Sequence, residues 1–218
     1  MMEDTYRHKG MRRILVNTLR EKGITDERVV AAIEALPRHF FLDKAFEEQA
    51  YEDKPFPIGN DQTISQPYTV AYQSSLLSVE KRDRILEIGT GSGYQAAILS
   101  LLGGRVFTVE RQETLFAKTR KLLETLDLGK IQCFLRDGTK GLPEFAPFDK
   151  ILVTAGSTEI PEALPQQLKT GGRLVIPVGD EQGQKMIRIT RLSETEFQKE
   201  VFDNFRFVPL LTGIVKSR

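Results

Sequence analysis

Histidine, cysteine and net charge are all scarce in this chain. Its 218 residues hold two histidines and one cysteine, and 31 basic against 30 acidic side chains leave a formal charge of +1. Cys133 alone cannot build an intramolecular disulfide framework, so a reducing compartment, the cytoplasm, is the expected setting. The balance of charge leaves no overall field to draw nucleic acid or an anionic membrane. Arg7, Lys9, Arg12 and Arg13 cluster near the start and read as one solvated helix face. No apolar run approaches the roughly 20 residues of a membrane span, and the polar start has no stretch of signal-peptide type. HExxH, paired cysteines and a phosphate loop ending in Gly-Lys-Ser/Thr are missing too, so no metal is expected. His8 and His39 stand far apart in predicted helical stretches and read as surface or packing residues. Cys133 falls inside a predicted strand and reads as a buried structural thiol. No general base stands out, which favours a reaction that needs none.

What is present suits one domain, with 40% hydrophobic residues to build its core. Apolar residues at Met11, Ile14, Leu15 and Leu19 have helical spacing and stop at Gly23. Thr25 and Asp26 offer caps for a second helix carrying Val29, Val30, Ile33 and Leu36, ended by Pro37. Residues 38–50 read as another short helical piece and 51–66 as mostly irregular. A helix over 67–77 opens with Pro67 at its first position. From Arg84 onward, strands predicted at 84–88, 105–109, 131–135, 149–154 and 173–178 alternate with helices near 93–102, 112–126 and 161–168. That alternation predicts an α/β fold with a doubly wound, mostly parallel sheet. The tail differs: 185–191 and 196–202 read as a hairpin around Ser193-Glu194, and 205–211 as a last edge segment. The expected organisation is a single domain over 1–218. It comprises a helical cap region (1–78), an α/β core (79–182) and a C-terminal hairpin with an edge segment (183–218).

The stretch from Arg84 to Glu110 is the most informative. Ile85–Ile88 runs into Gly89-Thr90-Gly91-Ser92-Gly93; Ala96–Leu102 follows; Val106–Val109 ends on Glu110. Glycines let a backbone approach a ligand, and a helix start offers free N–H groups. An acidic residue at the end of the second strand, about 20 residues on, can bind ribose hydroxyls. The turn alone is ambiguous, because Gly91-Ser92-Gly93-Tyr94-Gln95-Ala96 also fits the GxGxxA dinucleotide fingerprint. Glu87 favours S-adenosylmethionine over a nicotinamide cofactor. A carboxylate at the mouth of the first strand would sit badly beside a pyrophosphate and well beside a methionyl ammonium.

Two further segments could carry chemistry. Asp137, in Phe134-Leu135-Arg136-Asp137-Gly138, lies just past the third strand. It could accept the exocyclic amine of adenine or simply form an Asp-Gly turn. In Gln62-Thr63-Ile64-Ser65-Gln66-Pro67-Tyr68, proline pushes Gln66 towards an extended conformation, and Thr63 and Ser65 then point to one side. Their hydroxyls, beside a helix start that can receive an anion, would make a carboxylate cradle. The plainer alternative is that Ser65 or Gln66 only caps the helix. With Pro67 first in the helix, Gln66 holds the cap position and Ser65 stands outside it.

Taken together, these residues resemble the protein-L-isoaspartate O-methyltransferase family over nearly the whole chain. The most specific piece is Gln62–Tyr68. It is joined by Leu86–Tyr94, Pro147-Phe148-Asp149, Ile151–Ala155, Gly171–Gly179 and Arg206–Leu210. The resemblance implies a Rossmann-like methyltransferase fold. It also implies methyl transfer from S-adenosylmethionine, leaving S-adenosylhomocysteine, to the free α-carboxylate of L-isoaspartyl residues in damaged proteins and peptides. The ester then re-closes to a succinimide that hydrolyses partly to normal aspartate. Such a carboxylate is already ionised at neutral pH, in keeping with the missing base. By this resemblance Ser65 is the active-site residue. Gln62, Thr63, Ile64, Ser65 and Tyr68 wall the cofactor pocket. Glu87, Gly89, Gly91 and Gly93 lie by the methionyl part, Glu110 and Arg111 by the ribose, and Asp137 and Gly138 by the adenine. Thr63, Ser65, Thr154 and Ala155 meet the acceptor. Asp61 and Arg136 depart from the pattern, standing where glycine is common. Neither nucleic acid nor membrane is an expected partner, and a monomer is expected. Another S-adenosylmethionine methyltransferase would share the glycine turn but not the Thr-Ile-Ser-Gln-Pro segment. A nicotinamide oxidoreductase, or a binding module with a decayed site, explains less of the set.

Overall fold

The computed structural model describes residues 2–180 and 182–217. Its N-terminal third is a helical addition of α1 (Tyr6–Glu21), α2 (Glu27–Ala35) and two short 3-10 turns at Arg38–Phe41 and Lys44–Gln49. Thr5 caps α1 by accepting from the His8 N–H, while the His8 ring accepts from the Thr5 N–H. Asp26 caps α2. The two histidines are not separate: both are buried, and their rings stack with centroids 3.8 Å apart. The first 3-10 turn folds back on α1 through the chain Arg12 to Tyr51 to His39 to the Glu3 carbonyl. Donor atoms of Asp4, His8 and His39 lie within 4.8 Å of one another. Asp4, however, is gripped bidentately by Arg12, and both His39 ring nitrogens are engaged, so the cluster reads as a clamp on the N-terminus.

Next come β1 (Phe56–Gly59) and β2 (Gln62–Ile64), an antiparallel pair where the sequence suggested irregular chain. Asn60 and Asp61 make the turn, both with positive φ (54° and 56°), a conformation these residues tolerate. Asp61 is thereby exposed at the tip. Helix α3 (Pro67–Leu77) then leads into the sheet.

Strands β3 (Arg84–Ile88), β4 (Arg105–Glu110), β5 (Gln132–Leu135), β6 (Phe148–Val153), β7 (Leu168–Asp180), β8 (Gly183–Arg191) and β9 (Phe197–Phe205) form one seven-stranded sheet ordered β5-β4-β3-β6-β7-β8-β9. The first five are mutually parallel, and β8 and β9 add antiparallel. Helices α4 (Tyr94–Leu101) and α5 (Glu113–Thr125) carry the chain outward from β3 to β5. The next strand, β6, returns to the other side of β3. The strand order therefore reverses between β3 and β6, the place where such sheets hold ligands at the strands' C-terminal ends. Buried side chains fall into two clusters, one on each sheet face. Ile85, Leu99 and Val106 belong to the first; Leu86, Ile88, Val109 and Ile151 belong to the second. Burial on both faces explains the unbroken apolar runs.

Three further elements differ from the sequence reading. The helix expected over 161–168 is the single turn α6 (Ala163–Gln166), squeezed between Pro161 and the start of β7. The strand read at 173–178 runs on to Asp180, and the expected hairpin is the outer part of a three-stranded antiparallel edge. The segment after Phe205 is no edge strand. Pro209 pairs with Gly156 and Val215 with Gln112, so this segment lies across the C-terminal ends of the parallel strands.

Candidate functional site

A cleft of about 810 Å³, counted to its open mouth, lies at the reversal point. Its walls come from four places: Gln62–Ser65 of β2 and its exit; Ile88–Ser92 of the glycine turn; Val109–Gln112 at the end of β4; and Thr154-Ala155 after β6. Gly138 and the segment Val208–Leu211 complete it. Of the residues expected here, Gln62, Thr63, Ile64, Ser65, Gly89, Gly91, Glu110, Arg111, Gly138, Thr154 and Ala155 do line it.

The glycine turn is shaped by contacts a side chain would destroy. Gly89 has φ +99°, and a Cβ there would sit 2.6 Å from the Thr154 hydroxyl, which donates to the Ile88 and Gly89 carbonyls. The N–H groups of Gly89 and Thr90 donate to the Val109 carbonyl, that of Gly93 to the Thr90 carbonyl, and that of Gly91 to the Glu110 carboxylate. The turn therefore presents few free donors to an anion and sets a carboxylate beside it. That arrangement suits an adenosyl group better than a pyrophosphate. The Glu110 carboxylate also accepts from the N–H groups of Arg111 and Gln112, both on the same oxygen, which fixes it at the strand end and leaves one acceptor site on the oxygen that Gly91 meets.

Four expected residues lie off the cleft wall. Glu87 is fully buried, not at the mouth. It sits one residue short of the strand end, on the same face as Ile85, and is paired in register with Thr108, whose hydroxyl donates to it. Thr108 in turn lies 2.7 Å from the Thr90 hydroxyl. Burial, eased by the Thr108 hydrogen bond, pushes the Glu87 pKa up to about 8. Asp137 accepts from the N–H and hydroxyl of Thr139 on Oδ1 and from the N–H of Gly213 on Oδ2, so one oxygen is held by its own turn and the other faces the C-terminal segment. Burial works against its charge, but these donors outweigh it and hold the carboxyl below its ordinary range. Gly93 caps α4 from behind, where a Cβ would meet Thr119 at 2.7 Å. Tyr68 lies outside, in a second and more open groove.

That groove is lined by Pro55, Gln66, Tyr68, Asn204 and Arg206 among others, and shares Thr63, Ser65, Thr154 and Val208 with the cleft. Ser65 thus stands where the two meet. Among the described residues its hydroxyl has no hydrogen-bond partner, and Gln66, not Ser65, holds the cap position of α3. The start of α3 does not offer the anion site expected of it: the Asp53 carboxylate already accepts from the Tyr68 N–H and the Gln66 side chain. The acceptor cradle is therefore left to the Thr63 and Ser65 hydroxyls. Arg136 is exposed and does not reach the cleft. Cys133 is half-buried in β5, with burial pushing its thiol up to about 11, an inert state.

Sequence reasoning missed several lining residues. Thr90, Ser92, Tyr94 and Gln95 lie within the glycine motif and line the cleft, but polar or aromatic side chains beside glycines carry no ligand signal of their own. Val208–Leu211 carried only the signal of an apolar run. The segment they open is tied down by Arg111, which donates to the Thr212 and Gly213 carbonyls, and by Glu113, which accepts from Ser217.

Residues 11–214 match the family described as Protein-L-isoaspartate(D-aspartate) O-methyltransferase (PCMT). The chain is 57% identical over 210 residues to a protein-L-isoaspartate O-methyltransferase of Flavobacterium johnsoniae, covering 96% of this chain and 98% of that one. The identity to the protein of the same name from Christiangramia forsetii is 56%, with the same coverage. A solved protein-L-isoaspartate O-methyltransferase superposes with a TM-score of 0.82 at 30% identity over 91% of this chain, which spans 65% of that longer one. A structure from Plasmodium falciparum in complex with S-adenosyl-L-homocysteine shares the fold, with a TM-score of 0.81 at 24% identity, covering 94% of this chain and 98% of that one.

Proposed function

Because the chain belongs to the protein-L-isoaspartate(D-aspartate) O-methyltransferase family, we propose that its cleft and groove are the two halves of one methyl-transfer site, with Ser65 between them. The activity is transfer of a methyl group from S-adenosylmethionine to the free α-carboxylate of an L-isoaspartyl residue, the first step of returning that residue to aspartate. The observation that carries the assignment of roles is the sharing of Thr63, Ser65 and Thr154 by both cavities.

S-adenosylmethionine, when bound, supplies a methyl group on a sulfonium, an electrophile that needs no acid to activate it. The residues present fit such a group. Glu110 lines the cleft with one acceptor site left that could take a ribose hydroxyl. Gly138, beside Asp137, would border the adenine, and the glycine turn would let the backbone come close. The acceptor carboxylate, with an ordinary pKa of about 4, arrives ionised at neutral pH. No side chain has to remove a proton. The chain has to orient the acceptor and keep water out, which can supply several kcal/mol of the barrier. Ser65 and Thr63 donate their hydroxyls to the acceptor carboxylate, and Thr154 and Ala155 hold the opposite wall. Val208–Leu211 cover the cleft.

Among the described residues, no helix is long and apolar enough to cross a membrane. With a charge of +1 and one cysteine, we propose a cytoplasmic monomer acting on isoaspartyl-containing proteins and peptides, without nucleic-acid or membrane partners. Ser65→Ala tests the central role. The rate of methyl transfer to an isoaspartyl peptide should drop about 10- to 100-fold, as for loss of one hydrogen bond to a charged group, about 1.5–3 kcal/mol. Affinity for S-adenosylhomocysteine should change little. Equal loss of both would make Ser65 a pocket wall only.

A further inference from the structure

Arg38 is fully buried, yet among the described residues it has no ion-pair partner and its Nη1 has no hydrogen-bond partner. A guanidinium taken out of water without a counter-charge is costly, so its remaining contacts should matter. There are three. Its Nε donates to the Ala50 carbonyl at 3.0 Å, its Nη2 donates to the Ser65 carbonyl at 2.9 Å, and its plane covers the Tyr94 ring at 4.9 Å from the centroid. Ala50 belongs to the N-terminal addition, Ser65 to the junction of cleft and groove, and Tyr94 opens α4 on the cleft wall. One rigid planar fork therefore ties the helical addition, the acceptor segment and the cofactor helix together.

The same stretch is held from its other side. Asp53 accepts from the Gln66 side chain and from the Tyr68 N–H, and Lys22 pairs with it. The backbone of Ser65-Gln66-Pro67 is thus pinned on both flanks, while the Ser65 hydroxyl is left free to meet a ligand. Burial lowers the Arg38 pKa to about 10, with Tyr94 and Asp53 opposing, so the group stays charged at neutral pH.

We propose that Arg38 is a positioning residue for methyl transfer, fixing the Ser65 side chain by holding its backbone carbonyl. The inference rests on the reading of Ser65 given above. Arg38 lines neither the cleft nor the groove; its effect passes through one hydrogen bond to Ser65, which lines both. Displacement of a reacting or orienting group by about 1 Å is enough to cost on the order of 10²-fold in rate.

The test is a cycle of Arg38→Lys and Ser65→Ala, single and combined, each checked for folding by circular dichroism and thermal melting. Lysine keeps the charge but has no planar fork. The readouts are kcat and KM with an isoaspartyl peptide and Kd for S-adenosylhomocysteine. Arg38→Lys should lower kcat about 10- to 100-fold and leave the Kd within about threefold. In the Ser65→Ala background it should add less than about threefold, because a misplaced alanine methyl has nothing to lose. The same fold-loss in both backgrounds, or a Kd that weakens in step with kcat, would overturn the proposal while leaving Ser65 its role. An unchanged kcat in Ser65→Ala alone would overturn the reading of Ser65 and this inference with it. If Arg38→Lys does not fold, Arg38→Gln, which buries no charge and keeps a donor, enters the same cycle with the same two outcomes.

Discussion

Replacing Glu87 with glutamine removes a proton equilibrium from the core while nearly keeping its shape. Glu87 is 0% exposed, accepts one hydrogen bond from Thr108, and its other oxygen has no partner among the described residues. Burial, the largest influence, raises its pKa from 4.5 to about 8, with Glu110 adding a smaller push. Between those two pH values the folded protein holds a proton that the unfolded chain has released. Stability due to this group is therefore full below pH 4.5 and falls as pH rises towards 8, by about 1.4 kcal/mol per pH unit. From pH 6 to pH 8 the loss integrates to about 2 kcal/mol, roughly 4–8 °C in melting temperature for a domain of this size. Glutamine has no such equilibrium. Urea or thermal unfolding of both proteins at pH 6, 7 and 8 should show Glu87→Gln gaining on the wild type by about 2 kcal/mol across that range, other titrating groups cancelling in the difference. Parallel curves would mean that Glu87 is ionised in the folded protein and that its charge is compensated by a group not identified above.

Three further outcomes follow from the geometry. Glu110→Ala should weaken S-adenosylhomocysteine binding at least about tenfold in calorimetry, since hydrogen bonds to a charged acceptor contribute about 1.5–3 kcal/mol; unchanged affinity would remove its ribose role. Gly89→Ala, with φ +99° and a Cβ 2.6 Å from the Thr154 hydroxyl, should lower stability by about 1–3 kcal/mol and reduce cofactor affinity. A neutral result in both assays would show the turn to be more yielding than its contacts imply. Burial lowers the His39 pKa below 6.5, with the Glu3 carbonyl opposing, so the unfolded chain binds a proton first and stability falls as pH drops through 6.5. His39→Gln should flatten that fall in melts between pH 7 and 5; an equally steep fall would clear His39.

Much of the fold could be read from period and punctuation. The strand–turn–helix–strand stretch from Arg84 to Glu110 shows itself because both sheet faces are buried and the turn demands glycine. The segment Gln62–Tyr68 announced Ser65 through Pro67, which moves the cap to Gln66. What stayed hidden depends on contacts far along the chain. The β1–β2 pair is too short to show a period of two, and its turn uses Asn60 and Asp61 without glycine between them. Glu87 looked like a ligand partner because its distance from the turn suits one, yet strand alternation turns it into the core. By sequence the start of α3 reads as open to an anion, but Asp53, 15 residues from Tyr68, occupies it. His8 and His39, 31 residues apart in the chain, meet only once the first 3-10 turn folds back on α1. Arg38 gave no signal at all in sequence, since a single arginine after proline looks like any surface charge.

The most direct test of the account is transfer of labelled methyl from S-adenosylmethionine to two peptides that differ only in one residue, L-isoaspartate in one and L-aspartate in the other. The account predicts base-labile methyl ester on the isoaspartyl peptide alone, with the label lost as succinimide forms. Equal labelling of both peptides, or of neither while S-adenosylhomocysteine still binds, would contradict the assignment of the Ser65 junction to an isoaspartyl carboxylate.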